Sequence, residues 1–324
     1  MYSYSFIVPH KNIPSLLRRC LDSIPSRPDI EIIVVDDNSD TESINELKKI
    51  SRKDLRIIYT NENMGAGHAR NVGVNNAHGK WILFADADDF FLPNLLEKID
   101  RHKHDSSMLI LFKSICRDSN DTTKIGQRQS ICNSISGKID DYENKKINHI
   151  DLLLGAGVPW AKMVRLDFLK KKCIYFEEVQ YSNDVGWITQ ISVKTTHQDI
   201  AVSKDEIYCW IDRGNSLYYT RNEESFICRF DVRYRQHLLL TNNNIPSIFN
   251  FCHFIEAAKE FGFLFLLRFY KIILKGKYIL PPVYRIEKKM HLKTPYCYLL
   301  VQLIKTTCNL FKFWKSSSPK EIKF

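Results

Sequence analysis

Trp81-Ile82-Leu83-Phe84-Ala85-Asp86-Ala87-Asp88-Asp89-Phe90 decides how the rest of the chain is read: an apolar run ends abruptly in three carboxylates. A strand buried on both faces reads as an unbroken apolar run, and open α/β sheets bind ligands beyond the carboxyl ends of their strands. Carboxylates this close repel one another unless a cation, a hydrogen-bond donor or protonation relieves them. A hard divalent ion that also takes phosphate oxygens answers that need, because Mg²⁺ and Mn²⁺ accept a few carboxylates plus substrate oxygens. A plainer alternative stands beside it, in which Asp88 and Asp89 cap a helix over residues 92–101.

Towards the N-terminus the pattern is strand then helix, repeated. Residues 2–8 read as a first strand closed by Pro9, and Pro14 opens a helix with Leu16, Leu17, Cys20, Leu21 and Ile24 on its apolar face. Residues 30–35 form a second buried strand that delivers Asp36 and Asp37, with Ser39 or Asp40 capping the helix that follows. A third strand spans residues 55–60, and a Gly-rich stretch from Asn61 to Gly73 opens the helix before Trp81. Four strand–helix units predict an α/β, doubly wound, mainly parallel sheet whose acidic strand ends share one rim.

Towards the C-terminus the pattern loosens. Residues 108–112 read as a strand, and residues 117–146, rich in Ser, Asn, Asp and Lys, as a loop or weak hairpin insertion. Tyr181-Ser-Asn183-Asp184 precedes a helix with Val185, Ile188, Ile191 and Ser192 on one face, and two strands follow at 199–203 and 207–211. After Arg213-Gly-Asn-Ser216 the chain reads as helical and aromatic.

Composition narrows the function classes. The net charge of +10 over 324 residues is uneven: from Ser225 to Phe324 there are 17 Lys and Arg against 5 Asp and Glu. No apolar stretch approaches the roughly 18 to 20 residues that span a bilayer, and residues 1–9 lack the basic and cleavable segments of a signal peptide. A cytoplasmic location is the expectation. Nine cysteines without a C-x-x-C pair or zinc spacing argue for reduced, mostly buried thiols.

Taken in order, these motifs resemble the glycosyltransferase family 2 enzymes. The resemblance rests on Phe6-Ile-Val-Pro9, on Ile32-Ile-Val-Val-Asp36-Asp37-Asn-Ser39, and on Asn63-x-Gly65 followed by Ala69-Arg70-Asn71-x-Gly73. Trp81 to Asp89, Pro159-Trp160-x-Lys162, Asn183-Asp184 and Arg213-Gly-x-Ser216 complete it. It implies a GT-A fold, a Rossmann-like doubly wound mixed sheet, with a helical and basic C-terminal extension. Residues 1–220 would be the GT-A domain, divided into a nucleotide-sugar half (1–112), a variable insertion (113–150) and an acceptor half (151–220). Residues 221–324 would be the extension.

The resemblance also implies roles. The Pro9 region walls the nucleotide, Asp37 accepts from the uracil N3–H, and Arg70 holds the base or phosphates. Asp86 contacts the ribose or the metal's surroundings, and Asp88 ligates Mn²⁺ or Mg²⁺. Asp184 matches the base that deprotonates the acceptor hydroxyl; many relatives carry Glu where this chain has Asn183. Trp160 and Lys162 fall in the acceptor segment, and Arg213 and Ser216 in a loop over the diphosphate. Asp36 reads as a turn residue, Trp187 and Trp210 as core, and Asp89 as either a cap or a residue near the metal.

The implied reaction is inverting transfer of a sugar from a nucleotide sugar, UDP-linked, to a lipid-linked bacterial surface glycan such as lipopolysaccharide, lipooligosaccharide or capsule. The basic C-terminal third suggests peripheral attachment to the cytoplasmic face of the inner membrane, with a helical cap or dimer contact as the alternative. Nucleic acid is not an expected partner, because the basic region lacks the pattern of a known module. A dinucleotide fingerprint is excluded by position, since Gly65-x-Gly67 follows the third strand and not the first. A non-catalytic nucleotide-sugar-binding protein on the same fold is the remaining rival.

Overall fold

The computed structural model describes residues 2–214 and 219–247, and beyond them 259–262, 264, 265, 268 and 269. Ser216 and nearly all of the basic C-terminal region, on which the membrane expectation rests, lie outside the described residues. The chain divides into two compact units, residues 1–247 and 248–324. In the second, Phe261, Phe265 and Phe269 lie four residues apart and contact one another in series, with centroids 4.9 and 5.9 Å apart. No helix among the described residues is long and apolar enough to cross a membrane.

The first unit is built on one mixed sheet. Strands β1 (Tyr4–His10), β2 (Ile30–Asp37), β3 (Leu55–Thr60) and β4 (Trp81–Phe84) pair in parallel in the order β3-β2-β1-β4, with helices α1 (Pro14–Asp22), α2 (Thr41–Lys48) and α3 (Ala66–Asn76) between them. β1, β2 and β4 carry mainly apolar side chains because both of their faces are covered, and they are buried throughout. The sheet continues through β7 (Lys162–Arg165), β6 (Leu109–Asp118), β8 (Ile200–Asp212) and β5 (Phe90–Phe91). Only β7 and β5 run against the rest, so the carboxyl ends of β1, β2, β4 and β8 reach one rim.

Several expectations need correction. Pro9 lies inside β1, paired with Val35, and does not close the strand. The Ile7 carbonyl accepts from Ala85 N–H on the β4 side, so Pro9, two residues on, faces the same side where β4 has already ended. Its missing N–H therefore costs no ladder bond.

Residues 117–146 are not a structureless insertion. They continue β6 to Asp118 and then form α5 (Gln129–Glu143), which buries Cys132, Ile135, Ile139 and Tyr142. These sit three, four and three residues apart, an apolar stripe hidden in a polar composition. The two strands expected near 199–211 are one strand, β8, whose register against β6 slips near Lys113. That irregularity absorbs the polar Ser203-Lys204-Asp205 segment that suggested a break.

The helix after the acidic turn, α4, begins at Leu95, not at 92. Neither Asp88 nor Asp89 caps it; its N-cap position is Asn94. The remaining α-helices among the described residues of the first unit are α6 (His149–Gly155), α7 (Leu166–Lys171), α8 (Asn183–Lys194) and α9 (Glu223–Asn242). The first compact unit thus takes in α9, which begins beyond residue 220. Among the described residues, Cys20, Cys116, Cys132 and Cys209 are buried free thiols, and Cys173 and Cys228 are free as well.

Candidate active site

The acidic stretch leaves β4 as a tight turn. Asp89 N–H donates to the Asp86 carbonyl at 3.0 Å, and this i to i+3 bond folds Asp86-Ala87-Asp88-Asp89 back on itself. The side chains then diverge: Asp86 and Asp88 keep partial exposure, 33% and 19%, while Asp89 is buried. The Asp89 carboxylate accepts from Tyr208 Oη at 2.8 Å and from Ile211 N–H at 2.7 Å. Burial, with the charges of Asp88 and Asp86 added, raises its carboxyl well above the ordinary range. Asp88 is raised too, by burial and the neighbouring Asp86, against the opposing Arg213.

Arg70 is the hub of the rim. It lies on α3, where Gly65, at φ +87°, makes the sharp entry that other residues resist. Asp37, at the end of β2, accepts from Met64 and Gly65 N–H at 3.0 and 2.9 Å and so anchors that entry. Gly67 allows two segments to meet, since a Cβ there would sit 2.1 Å from the Glu177 carbonyl and 3.0 Å from Asn183 Cβ. That close approach lets the Arg70 guanidinium reach Asp86 Oδ1 at 2.6 Å and Asn183 Oδ1 at 2.8 Å, with its flat face 5.3 Å from the Phe176 ring centroid.

Asn183 and Asp184 form the first turn of α8. Burial raises the Asp184 carboxyl; the cations of Arg70 and Lys162 oppose that rise, and Asp86 adds to it. Lys162, on β7, is buried, and its Nζ donates to the Val158 carbonyl at 2.6 Å. Burial pulls its ammonium down to about 7, against the attraction of Asp184. Trp160 is buried as well: its ring stacks on Tyr208 at 5.1 Å and 9° and leans on Trp210 at 5.8 Å. With 3% exposure it presents little surface to an acceptor and serves as packing beneath the rim.

The end of β8 closes the far side. Arg213 places its guanidinium on Asp88 Oδ2. Its own carbonyl accepts from Arg128 at 3.1 Å, and Arg128 also pairs with Asp212 at 2.8 Å and lies over the Trp210 ring at 4.5 Å. From α1, Arg19 donates to the Asp88 carbonyl. Asp36 is bound into its turn by His10 and Ser39, as its reading as a turn residue implies. Trp187 is fully buried and stacked on Phe176.

Residues 5–160 match the model of the glycosyl transferase family 2 domain. Over that stretch the chain carries a glycosyltransferase family 2 domain. Glycosyltransferase GlyA of Streptococcus pneumoniae is 41% identical over 106 residues, which is 31% of this chain and 15% of that protein. The uncharacterized glycosyltransferase EpsJ of Bacillus subtilis is 24% identical over 217 residues, 66% of this chain and 62% of that one. The chain thus spans less than two thirds of either relative. The crystal structure of S. aureus TarS 1–349 in complex with UDP-GlcNAc superposes with a TM-score of 0.57 at 21% identity, covering 83% of this chain and 73% of that one. That likeness is one of fold, and it identifies the mixed sheet as GT-A.

The matched region ends at Trp160, so the rim is completed by residues beyond it: Asn183, Asp184, Tyr208 and Arg213. Of the residues singled out in sequence, Arg70 contacts Asp86 and Asn183, Arg213 contacts Asp88 in the same acidic turn, and Asp184 follows Asn183 in the first turn of α8. Pro9 and Asp37 come from neighbouring strands, β1 and β2. Lys162 and Trp160 lie below, in the core. Tyr208, Arg128 and Arg19 carry no motif and were not legible without the fold.

The donor set suits a divalent cation shared with a ligand. Among the described residues no three His, Cys, Asp or Glu side chains converge as a complete metal cage. Asp86 and Asp88 supply two carboxylates, and the burial that raises Asp88 is a strain that a cation relieves. Mg²⁺ and Mn²⁺ sites that hold one or two carboxylates and fill the rest with phosphate oxygens have this composition.

Proposed function

We propose that this chain is an inverting, metal-dependent glycosyltransferase that moves a sugar from a nucleotide sugar, a UDP-hexose or UDP-N-acetylhexosamine, to a hydroxyl of a glycan acceptor. The observation that carries the reading is the convergence of the Asp86–Asp88 turn with the first turn of α8, joined through Arg70. A donor-binding turn and a carboxylate base are the two parts that direct displacement at an anomeric carbon requires.

In this reading Asp37 and the Pro9 wall receive the base, and Arg70 and Arg213 supply cationic groups suited to phosphate oxygens. Asp88 and Asp86 would hold Mn²⁺ or Mg²⁺, which would supply Lewis-acid neutralisation of charge on the diphosphate. Asp184 takes the proton of the acceptor hydroxyl as that oxygen bonds to the anomeric carbon. The bond from that carbon to the diphosphate breaks, its electron pair leaves with the nucleoside diphosphate, and the centre inverts. Burial supports the role, because a carboxylate with raised proton affinity is a stronger base.

A lipid-linked bacterial surface glycan is the acceptor class proposed, met at the cytoplasmic face of the membrane. Support comes from the excess of cations after residue 225 and from the family's acceptors. A turnover screen of UDP-, GDP- and dTDP-sugars, with Mn²⁺ and with chelator, tests the donor and the metal together. Turnover of a UDP-sugar that chelator abolishes is the expected result. Turnover of only a GDP- or dTDP-sugar overturns the donor assignment, and full activity in chelator overturns the metal.

A further inference from the structure

Three hydrogen bonds join the acidic turn, between β4 and β5, to β8. The Tyr208 hydroxyl, on β8, accepts from the Asp86 N–H at 2.9 Å and donates to Asp89 Oδ2 at 2.8 Å. The other Asp89 oxygen accepts from Ile211 N–H at 2.7 Å. Both side chains are buried, at 0% and 1% exposure, so neither reaches solvent or a ligand lying on the rim. The Tyr208 ring is fixed by Trp160 on its face and by Phe91 at 5.4 Å edge-on.

The linkage has two outputs. It fixes the backbone amide of Asp86 at the start of the acidic turn. It also fixes Ile211, two residues before Arg213, whose guanidinium meets Asp88. The β5–β8 ladder seats the far end of the acidic turn, through Phe90 and Phe91, whereas the end of β4, separated from β8 in the sheet by β7 and β6, is tied to it by the Asp86–Tyr208 bond. Buried polar networks of this kind impose a single geometry because any departure leaves a donor or acceptor unpaired.

We propose that Tyr208 and Asp89 are positioning residues for the nucleoside diphosphate: they hold the Asp86–Asp88 turn and Arg213 at the one separation that grips the diphosphate, and touch neither donor nor acceptor. The inference rests on the donor reading above. It also assigns Asp89 away from the metal, the role the sequence left open.

Tyr208→Phe removes one hydroxyl and keeps the ring. Calorimetric titration with UDP, GDP and dTDP in the presence of Mn²⁺ gives the wild-type nucleotide, and the variant is compared on that nucleotide. The dissociation constant should rise about 5- to 30-fold, the equivalent of one buried hydrogen bond, while turnover at saturating donor stays near wild type. Asp89→Asn is isosteric but can accept only one of the two bonds, from Tyr208 or from Ile211, and it should weaken binding in the same direction. Leu47→Ala, buried on α2 away from this linkage, should lower the melting temperature without changing nucleotide affinity. If Tyr208→Phe binds the nucleotide as wild type does and only melts earlier, as Leu47→Ala does, the linkage is structural and the inference fails. A wild-type protein that binds none of the three nucleotides overturns the donor reading, and the inference with it.

Discussion

Arg70 donates to Asp86 at 2.6 Å from a guanidinium whose other arm holds Asn183, so one buried side chain sets the spacing between the acidic turn and α8. Arg70→Gln should therefore loosen both sides at once. Loss of a charge-assisted contact of this kind costs about 1.5 to 3 kcal/mol, or roughly 10- to 100-fold in nucleotide affinity. Arg70→Lys should recover little, because an ammonium cannot bridge two acceptors in the plane of a fork. Titration of both variants with UDP checks this, and wild-type affinity in Arg70→Lys would show that the bridge does not set the spacing.

Asp184→Asn should fold, bind nucleotide and lose about 10²- to 10⁴-fold in turnover, the usual worth of a general base. The wild-type pH profile provides a second check. The base acts as a carboxylate, and burial raises its carboxyl. The acid limb of kcat/KM should lie above the ordinary aspartate value of about 4. A limb at or below that value, or near-normal turnover in Asp184→Asn, would assign the proton to another group.

How much of this could be read from the sequence follows the physics of each segment. The β1–β4 core was legible because its central strands, buried on both faces, are continuous apolar runs, and Asp86 and Asp88 follow the end of β4 while Arg70 lies on α3, between β3 and β4. Helix α5 was not, because its four buried side chains are diluted among exposed Ser, Asn, Asp and Lys. Asp89 illustrates a deeper limit. Its residue type and position fit a cap, a ligand or a brace equally well, and only Tyr208, contributed by a strand more than a hundred residues away, decides among them. Trp160 was read towards the acceptor because its motif suggested it, whereas its stacking on Tyr208 depends on a register no local pattern reports.

Asp37 should matter for stability as well as for binding. Its carboxylate satisfies two N–H groups ahead of α3, which no residue of that helix can reach, and Gly65 holds the chain at positive φ there. Asp37→Ala should destabilise the fold by about 1 to 3 kcal/mol, the cost of leaving buried donors unpaired. Asp37→Asn can accept only one of the two N–H bonds and should fall between. Urea denaturation monitored by circular dichroism orders the three proteins; an Asp37→Ala midpoint equal to wild type would contradict the anchoring.

Lys162 sets a pH dependence of stability whose sign follows from its burial. Its ammonium titrates at about 7 in the folded chain and at about 10.4 when unfolded. Between those values the unfolded chain binds the proton and the folded chain does not, so stability must rise with pH across that window. The contribution of a single group to the slope reaches about 1.4 kcal/mol per pH unit. In Lys162→Met that contribution disappears, and the difference in unfolding free energy between the variant and wild type should shift in favour of wild type from pH 7 to pH 10. The same substitution removes a cation that lowers the Asp184 carboxyl, so the acid limb of kcat/KM should move to higher pH. Parallel stability curves for the two proteins over pH 7 to 10 would mean that the lysine is fully charged in the fold, and an unmoved acid limb would mean that it does not act on Asp184.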